Sequence, residues 1–129
     1  MTVNSHKFIR DYKELKFWQR AREVSLLVVE ITRRLPKERP AWVISDQLIR
    51  SSFSVGANIA EGFGKFKGKE YSRFIRIALG SSNETEYWLE MIKDIYPNVS
   101  ELTDRILDKN KETVKMLTAT LKRWIIMKW

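Results

Sequence analysis

The stretch Gly62-Phe63-Gly64-Lys65-Phe66-Lys67-Gly68-Lys69 interleaves aromatic rings with ammonium groups. Rings stack on unpaired bases and lysines contact phosphate, so this combination suits single-stranded nucleic acid. The alternative is a loop whose phenylalanines pack back onto the body of the protein. A phosphate-cradling loop does not fit. The P-loop places four residues between its first glycine and Gly-Lys-Ser/Thr. Here Gly64 and Gly68 enclose three, and Glu70 follows Lys69. The dinucleotide fingerprint would need a third glycine where Lys67 stands.

Other chemistry is narrowed by composition. There is no cysteine and a single histidine, His6, which removes thiolate chemistry and nearly all histidine-dependent catalysis. Ser51, Ser52, Ser54, Ser81 and Ser82 lack a histidine base, and Gly-x-Ser-x-Gly does not occur. Di-iron bundles use Glu-x-x-His on two helices, which one histidine does not supply. Arg50, Asn58, Glu61 and Glu84 are polar groups on or near apolar stripes. Arg50 and Glu61 stand about three helical turns apart and share a face. Such a carboxylate–arginine pair is either catalytic or, more commonly, a buried ion pair that fixes packing. The expectation is a non-enzymatic protein with no catalytic residue, metal site or cofactor.

Four segments of helical period must position these groups, over residues 12–35, 41–62, 70–95 and 99–127. In the first, Leu15, Trp18, Ala21, Val24, Val28, Ile31 and Leu35 step by three and four. Leu48, Ser52, Val55 and Ile59 share a face of the second, whose small middle predicts a tight crossing with another helix. The third shows Tyr71, Phe74, Ile77 or Ala78, Ser81, Trp88, Met91 and Ile95, with a possible kink at Gly80-Ser81. The fourth shows Leu102, Ile106, Leu107, Val114, Leu117, Leu121 and Trp124, and Asn98 with Glu101 has the spacing of a capping box. Long helices joined by short connections predict an all-α fold, an antiparallel up-down-up-down four-helix bundle forming one domain over 1–129. No apolar run is long enough for a membrane span and no targeting segment is visible, so the expected location is the cytoplasm.

The 24 Lys and Arg against 16 Asp and Glu give a net charge of +8. They are unevenly placed, with six acids and one cation between residues 77 and 104. In an antiparallel bundle these acids gather at one end. The termini and the 62–69 loop gather at the other, with Lys65, Lys67, Lys69, Arg73 and Arg76 and, in support, Lys122 and Arg123. A basic pole of this kind is either an uneven solvated surface or an electrostatic footprint for RNA or single-stranded DNA. The tail Trp124-Ile125-Ile126-Met127-Lys128-Trp129 is apolar nearly all round. It either marks an interface or folds over the bundle end. A protein-interaction scaffold, its acidic pole docking a basic partner, is the competing reading.

The run from Asp46 to Gly62 resembles the signature of the S23 family, with Asn58-Ile59-Ala60-Glu61-Gly62 as its characteristic segment and Gly64-Lys65 as the glycine-basic turn. Phe74, Ala78, Gly80-Ser81 and Glu84 resemble the family's third-helix motif, and Leu15, Trp18, Ala21 and Leu35-Pro36 its first helix. These are bacterial four-helix bundles named for reading frames within intervening sequences of 23S ribosomal RNA. The resemblance implies a homopentameric ring. It also implies kinship with the accessory variability determinant of diversity-generating retroelements, a basic pentameric barrel that works with a reverse transcriptase and nucleic acid.

Overall fold

The computed structural model describes residues 9–65 and 69–128, with side chains described as far as Arg123. Its four long helices are α1 (Lys16–Arg34), α2 (Arg39–Phe63), α3 (Lys69–Ile95) and α4 (Ser100–Lys128). Each packs on its sequence neighbours, and α4 returns against α1, which closes an antiparallel up-down-up-down bundle. No strand occurs among the described residues. Among them, no helix is long and apolar enough to cross a membrane.

The first helix is shorter than its periodicity predicts. Asp11 and Glu14 close a capping box around a 3-10 turn, Tyr12–Glu14. Leu15 then takes extended backbone (φ −73°, ψ 127°) before α1 begins. The cap satisfies local N–H groups of this turn, so the chain changes direction at Leu15 although the apolar spacing runs through it. Pro40 sits in the first turn of α2, where its missing N–H costs nothing. Before α4, Pro97–Val99 form another 3-10 turn. Asn98 lies inside it, so it does not cap α4 as its spacing with Glu101 predicts.

In α3 the buried face is shifted from the predicted one. Ser72, Ile75, Ala78, Ser82, Thr85, Leu89 and Ile92 face inward. Tyr71, Phe74, Ser81, Trp88 and Met91 are half-buried at the rim, and Ile77 and Ile95 are exposed. The cause is the closeness of α2, whose Leu48, Ser51, Ser52, Val55 and Ile59 are buried opposite. Backbones approach only where side chains are small, so hydroxyl residues take the interior and large rings move outward. The crossing of α2 with α3 is marked by Ser54 Oγ to Ser81 Oγ at 2.9 Å and Thr85 Oγ1 to Ser51 Oγ at 3.0 Å. α3 runs unbroken through Gly80-Ser81.

The interior is divided. One apolar cluster, with Val28, Ile31, Leu48, Leu89, Ile92 and Ile106, fills the end that holds the α1–α2 and α3–α4 connections. A smaller one, with Ala21, Val55, Ile59, Ile75, Ala78, Leu117 and Leu121, fills the other end. Between them lies a buried polar layer of Ser51, Ser52, Ser82, Thr85, Asn110 and Thr113. Asn110 Nδ2 donates to Ser82 O at 2.9 Å and Ser25 Oγ to Ser52 O at 3.2 Å. Ser82 Oγ is the buried side-chain atom without a hydrogen-bond partner among the described residues.

Candidate nucleic-acid interface

Gly62 fixes the geometry of the basic end. With no side chain, it lets α3 come so close that a β-carbon there would lie 2.9 Å from Phe74 Cβ. Phe74 is thereby seated against the end of α2, where two cations meet its ring. Lys65 Nζ stands 5.7 Å from the ring centroid and Arg73 Cζ 5.4 Å. Ring faces attract cations within about 6 Å, so Phe74 groups charges that would otherwise repel. Each cation also has one carboxylate near it: Glu61 Oε2 lies 3.7 Å from Lys65 Nζ, and Glu70 Oε1 lies 3.6 Å from Arg73 Nη1. Both pairs are exposed and loose, so water and salt compete with them.

Lys69, Arg76, Lys122 and Arg123 are exposed, and no ion pair among the described residues engages them. Lys69, Arg73 and Arg76 follow one face of α3 at helical spacing. Arg123 is near enough to Tyr71 for its charge to act on the phenol. Burial pushes the Tyr71 hydroxyl above its ordinary range and Arg123 pulls the other way. The start of α3 and the end of α4 thus place Lys69, Arg73, Arg76, Lys122 and Arg123 at one end with Lys65. Lys67 and Phe66 lie outside the described residues, as do the side chains of the 124–129 tail. Phe63 is half-buried.

At the opposite end two side-chain contacts link neighbouring elements. Lys93 Nζ meets Asp104 Oδ1 at 2.8 Å across α3 and α4. Tyr96 Oη donates to Glu38 Oε2 at 2.6 Å, which ties the two connections together.

The polar residues Arg50, Asn58, Glu61 and Glu84 are arranged differently from the expected buried pair. Arg50 does not meet Glu61. It bonds Glu84 across the α2–α3 groove and donates to Gln47 Oε1 at 2.8 Å. Its side chain is half-exposed, and Glu61 turns instead toward Lys65. Asn58 Nδ2 donates back to Ser54 O at 2.8 Å and to Ser54 Oγ at 2.9 Å. Trp88 Nε1 donates to Glu84 Oε2 at 3.0 Å. That bond first, then Arg50, holds the Glu84 carboxyl below its usual range. Gln47, Arg50, Ser54, Asn58 and Glu61 repeat every three or four residues, which puts them on one outward stripe of α2. That spacing was available in the sequence. The partner across the groove was not, because it depends on the register of α3.

Among the described residues no group of three His, Asp or Glu side chains could hold a metal ion. At the basic end the ammonium of Lys65 and the guanidinium of Arg73 stand against the half-buried ring of Phe74.

None of the curated proteins matches the chain. Among solved structures, a protein of unknown function from the S23 ribosomal protein family of Bacteroides thetaiotaomicron superposes with a TM-score of 0.75 and 30% identity, over 82% of this chain and 98% of its own. The profile of the 23S rRNA-intervening sequence proteins matches residues 13–119, which cover α1 to α3 and the larger part of α4. With that match and the shared bundle together, the chain belongs to the 23S rRNA-intervening sequence protein family.

Proposed function

We propose that this chain is a non-enzymatic, self-associating bundle of the cytoplasm that binds RNA through its basic end. The observation that carries the reading is the meeting of Lys65 and Arg73 at the Phe74 ring and of Arg123 with Tyr71, with Lys69, Arg76 and Lys122 exposed on adjoining turns of α3 and α4. Contacts of this kind go to phosphate and shape, with little base readout. Repeated in a ring, such ends would form one continuous basic face. A pentamer, and kinship with the retroelement accessory determinant, belong to this proposal.

The test is fluorescence anisotropy with structured RNA and single-stranded DNA between roughly 50 and 300 mM salt, the range over which phosphate contacts lose most affinity. The expected log–log slope is several units, and substitution of Lys65, Lys69, Arg73 and Arg76 by Gln should flatten it. Absence of binding at the lowest salt overturns the reading. A protein-interaction scaffold is then favoured by exposed Trp42 (58%) and Leu26 (53%), large apolar side chains with no core to join.

A further inference from the structure

We infer that the cleft between α1 and α2 is a binding slot for one unpaired base of single-stranded RNA, with Arg22 at its mouth to meet the adjoining phosphate. The inference rests on the RNA-binding reading and adds a site that the basic end does not contain.

The cleft is a shallow groove, open to solvent, of about 290 Å³. That is the small end of ligand sites, which run from about 300 to 1,000 Å³, so it suits a single ring system. Gly56 and Ala57 line it without bulk, and Tyr12, Trp18 and Phe53 supply its rings. Tyr12 and Trp18 meet edge to face, 5.1 Å between centroids. Phe53 is 46% exposed, a large ring left to solvent. The indole of Trp18 rests on Gly56, where a β-carbon would stand 3.4 Å from Nε1.

Two unanswered donors give the cleft its polarity. Trp18 Nε1 has no acceptor among the described residues, yet it is not among the fully enclosed polar atoms. Arg22 is exposed and has no ion pair among those residues, whereas its neighbour Arg20 is held by Glu23 and Glu112, each at 2.9 Å. No carboxylate lines the cleft. An aliphatic side chain would fill the apolar floor but leave the indole N–H and the guanidinium without partners. A base offers a flat ring, acceptor atoms on its edge and an attached anion, and so answers all three features.

Ala57→Leu is the test variant, because Ala57 is exposed and leucine is a good helix former, so the substitution fills the slot and spares the core. The measurement is anisotropy with labelled single-stranded and duplex RNA. The expected result is a loss of roughly tenfold in single-strand affinity, the scale of one stacked base, with duplex affinity and the single-strand salt slope unchanged. Arg22→Gln should lower the single-strand slope by about 0.7, one phosphate contact. Phe53→Ala, also at an exposed site, gives the same single-strand loss if Ala57→Leu disturbs helicity. Wild-type binding that neither Ala57→Leu nor Phe53→Ala weakens overturns the slot and leaves the basic end intact as an RNA site. A shift of Ala57→Leu in sedimentation velocity would make the cleft a contact between copies and also overturn it. A wild type that binds no RNA overturns both.

Discussion

Gly62 and Phe74 approach so closely that a β-carbon on residue 62 would sit 2.9 Å from that of Phe74. Two effects compete on Gly62→Ala. Helix propensity favours alanine by about 1 kcal/mol. The clash is with a β-carbon, which only a backbone shift relieves, and overpacking costs about 1–3 kcal/mol. The clash should win, with a net loss of roughly 1 kcal/mol by urea unfolding. Gly80 is the control: it is exposed in mid-helix with nothing within 4 Å of a built β-carbon. Gly80→Ala should therefore raise stability by about 0.5–1 kcal/mol.

The bundle itself was legible in the sequence because three helices carry an apolar period that the fold uses. Ala21, Val24, Val28 and Ile31 of α1, with Leu35 just after it, are buried as spaced, as are Leu48, Ser52, Val55 and Ile59 of α2 and Leu102, Ile106, Leu107, Leu117 and Leu121 of α4, while Leu15, Trp18 and Val114 are only half-buried. α3 was misread because Ser72, Ser82 and Thr85 do not look like core, while Tyr71, Phe74 and Trp88 do. Close helix packing reverses that ordinary expectation. The grouping of Lys65 with Arg73 on Phe74 was hidden for the same reason. So was Asn110, a polar side chain that reads as surface until its partner on α3 is known.

Asn110 is 2% exposed and donates to Ser82 O. Asn110→Ala should cost about 1–3 kcal/mol, through the lost bond and the space left behind. Ser82→Ala removes an unpartnered buried hydroxyl and gains helix propensity, so it should be neutral or stabilising by up to about 1 kcal/mol. Paired urea melts at one protein concentration check both signs.

The Tyr96 hydroxyl is pushed up to about 12 by its bond to Glu38, then by burial and the nearby carboxylate charge. The unfolded phenol ionises near about 10. Between those values the folded state holds a proton that the unfolded state has lost. This contribution is complete below about pH 10 and falls away as pH rises toward about 12. Beside Tyr71, which burial also raises, absorbance at 295 nm should show a late-ionising phase from Tyr96. Tyr96→Phe should abolish that phase and flatten the alkaline fall in stability relative to wild type.

The Glu84 carboxyl is held low, first by the Trp88 indole N–H and then by Arg50. Its contribution is present above the ordinary carboxylate range and lost as pH falls through its lowered folded value. The Trp88 indole proton resonance should therefore move with a midpoint below about 4.3, the ordinary glutamate value. Glu84→Gln should remove that acid-side step while changing neutral stability by less than about 1 kcal/mol, because the Arg50–Glu84 pair is solvent-exposed.

The polar layer through Ser51, Ser82, Thr85 and Asn110 separates a larger apolar cluster from a smaller one. Hydrogen exchange follows local apolar contact, and weakly packed regions open without global unfolding. The layer is therefore expected to act as a seam between two cooperative units. Amides of α2 near Val55 and of α3 near Ile75 should exchange by sub-global opening, faster than those near Leu48 and Ile92. The cationic end rests on the smaller cluster, so its backbone is expected to open first while the far end keeps the four helices in register.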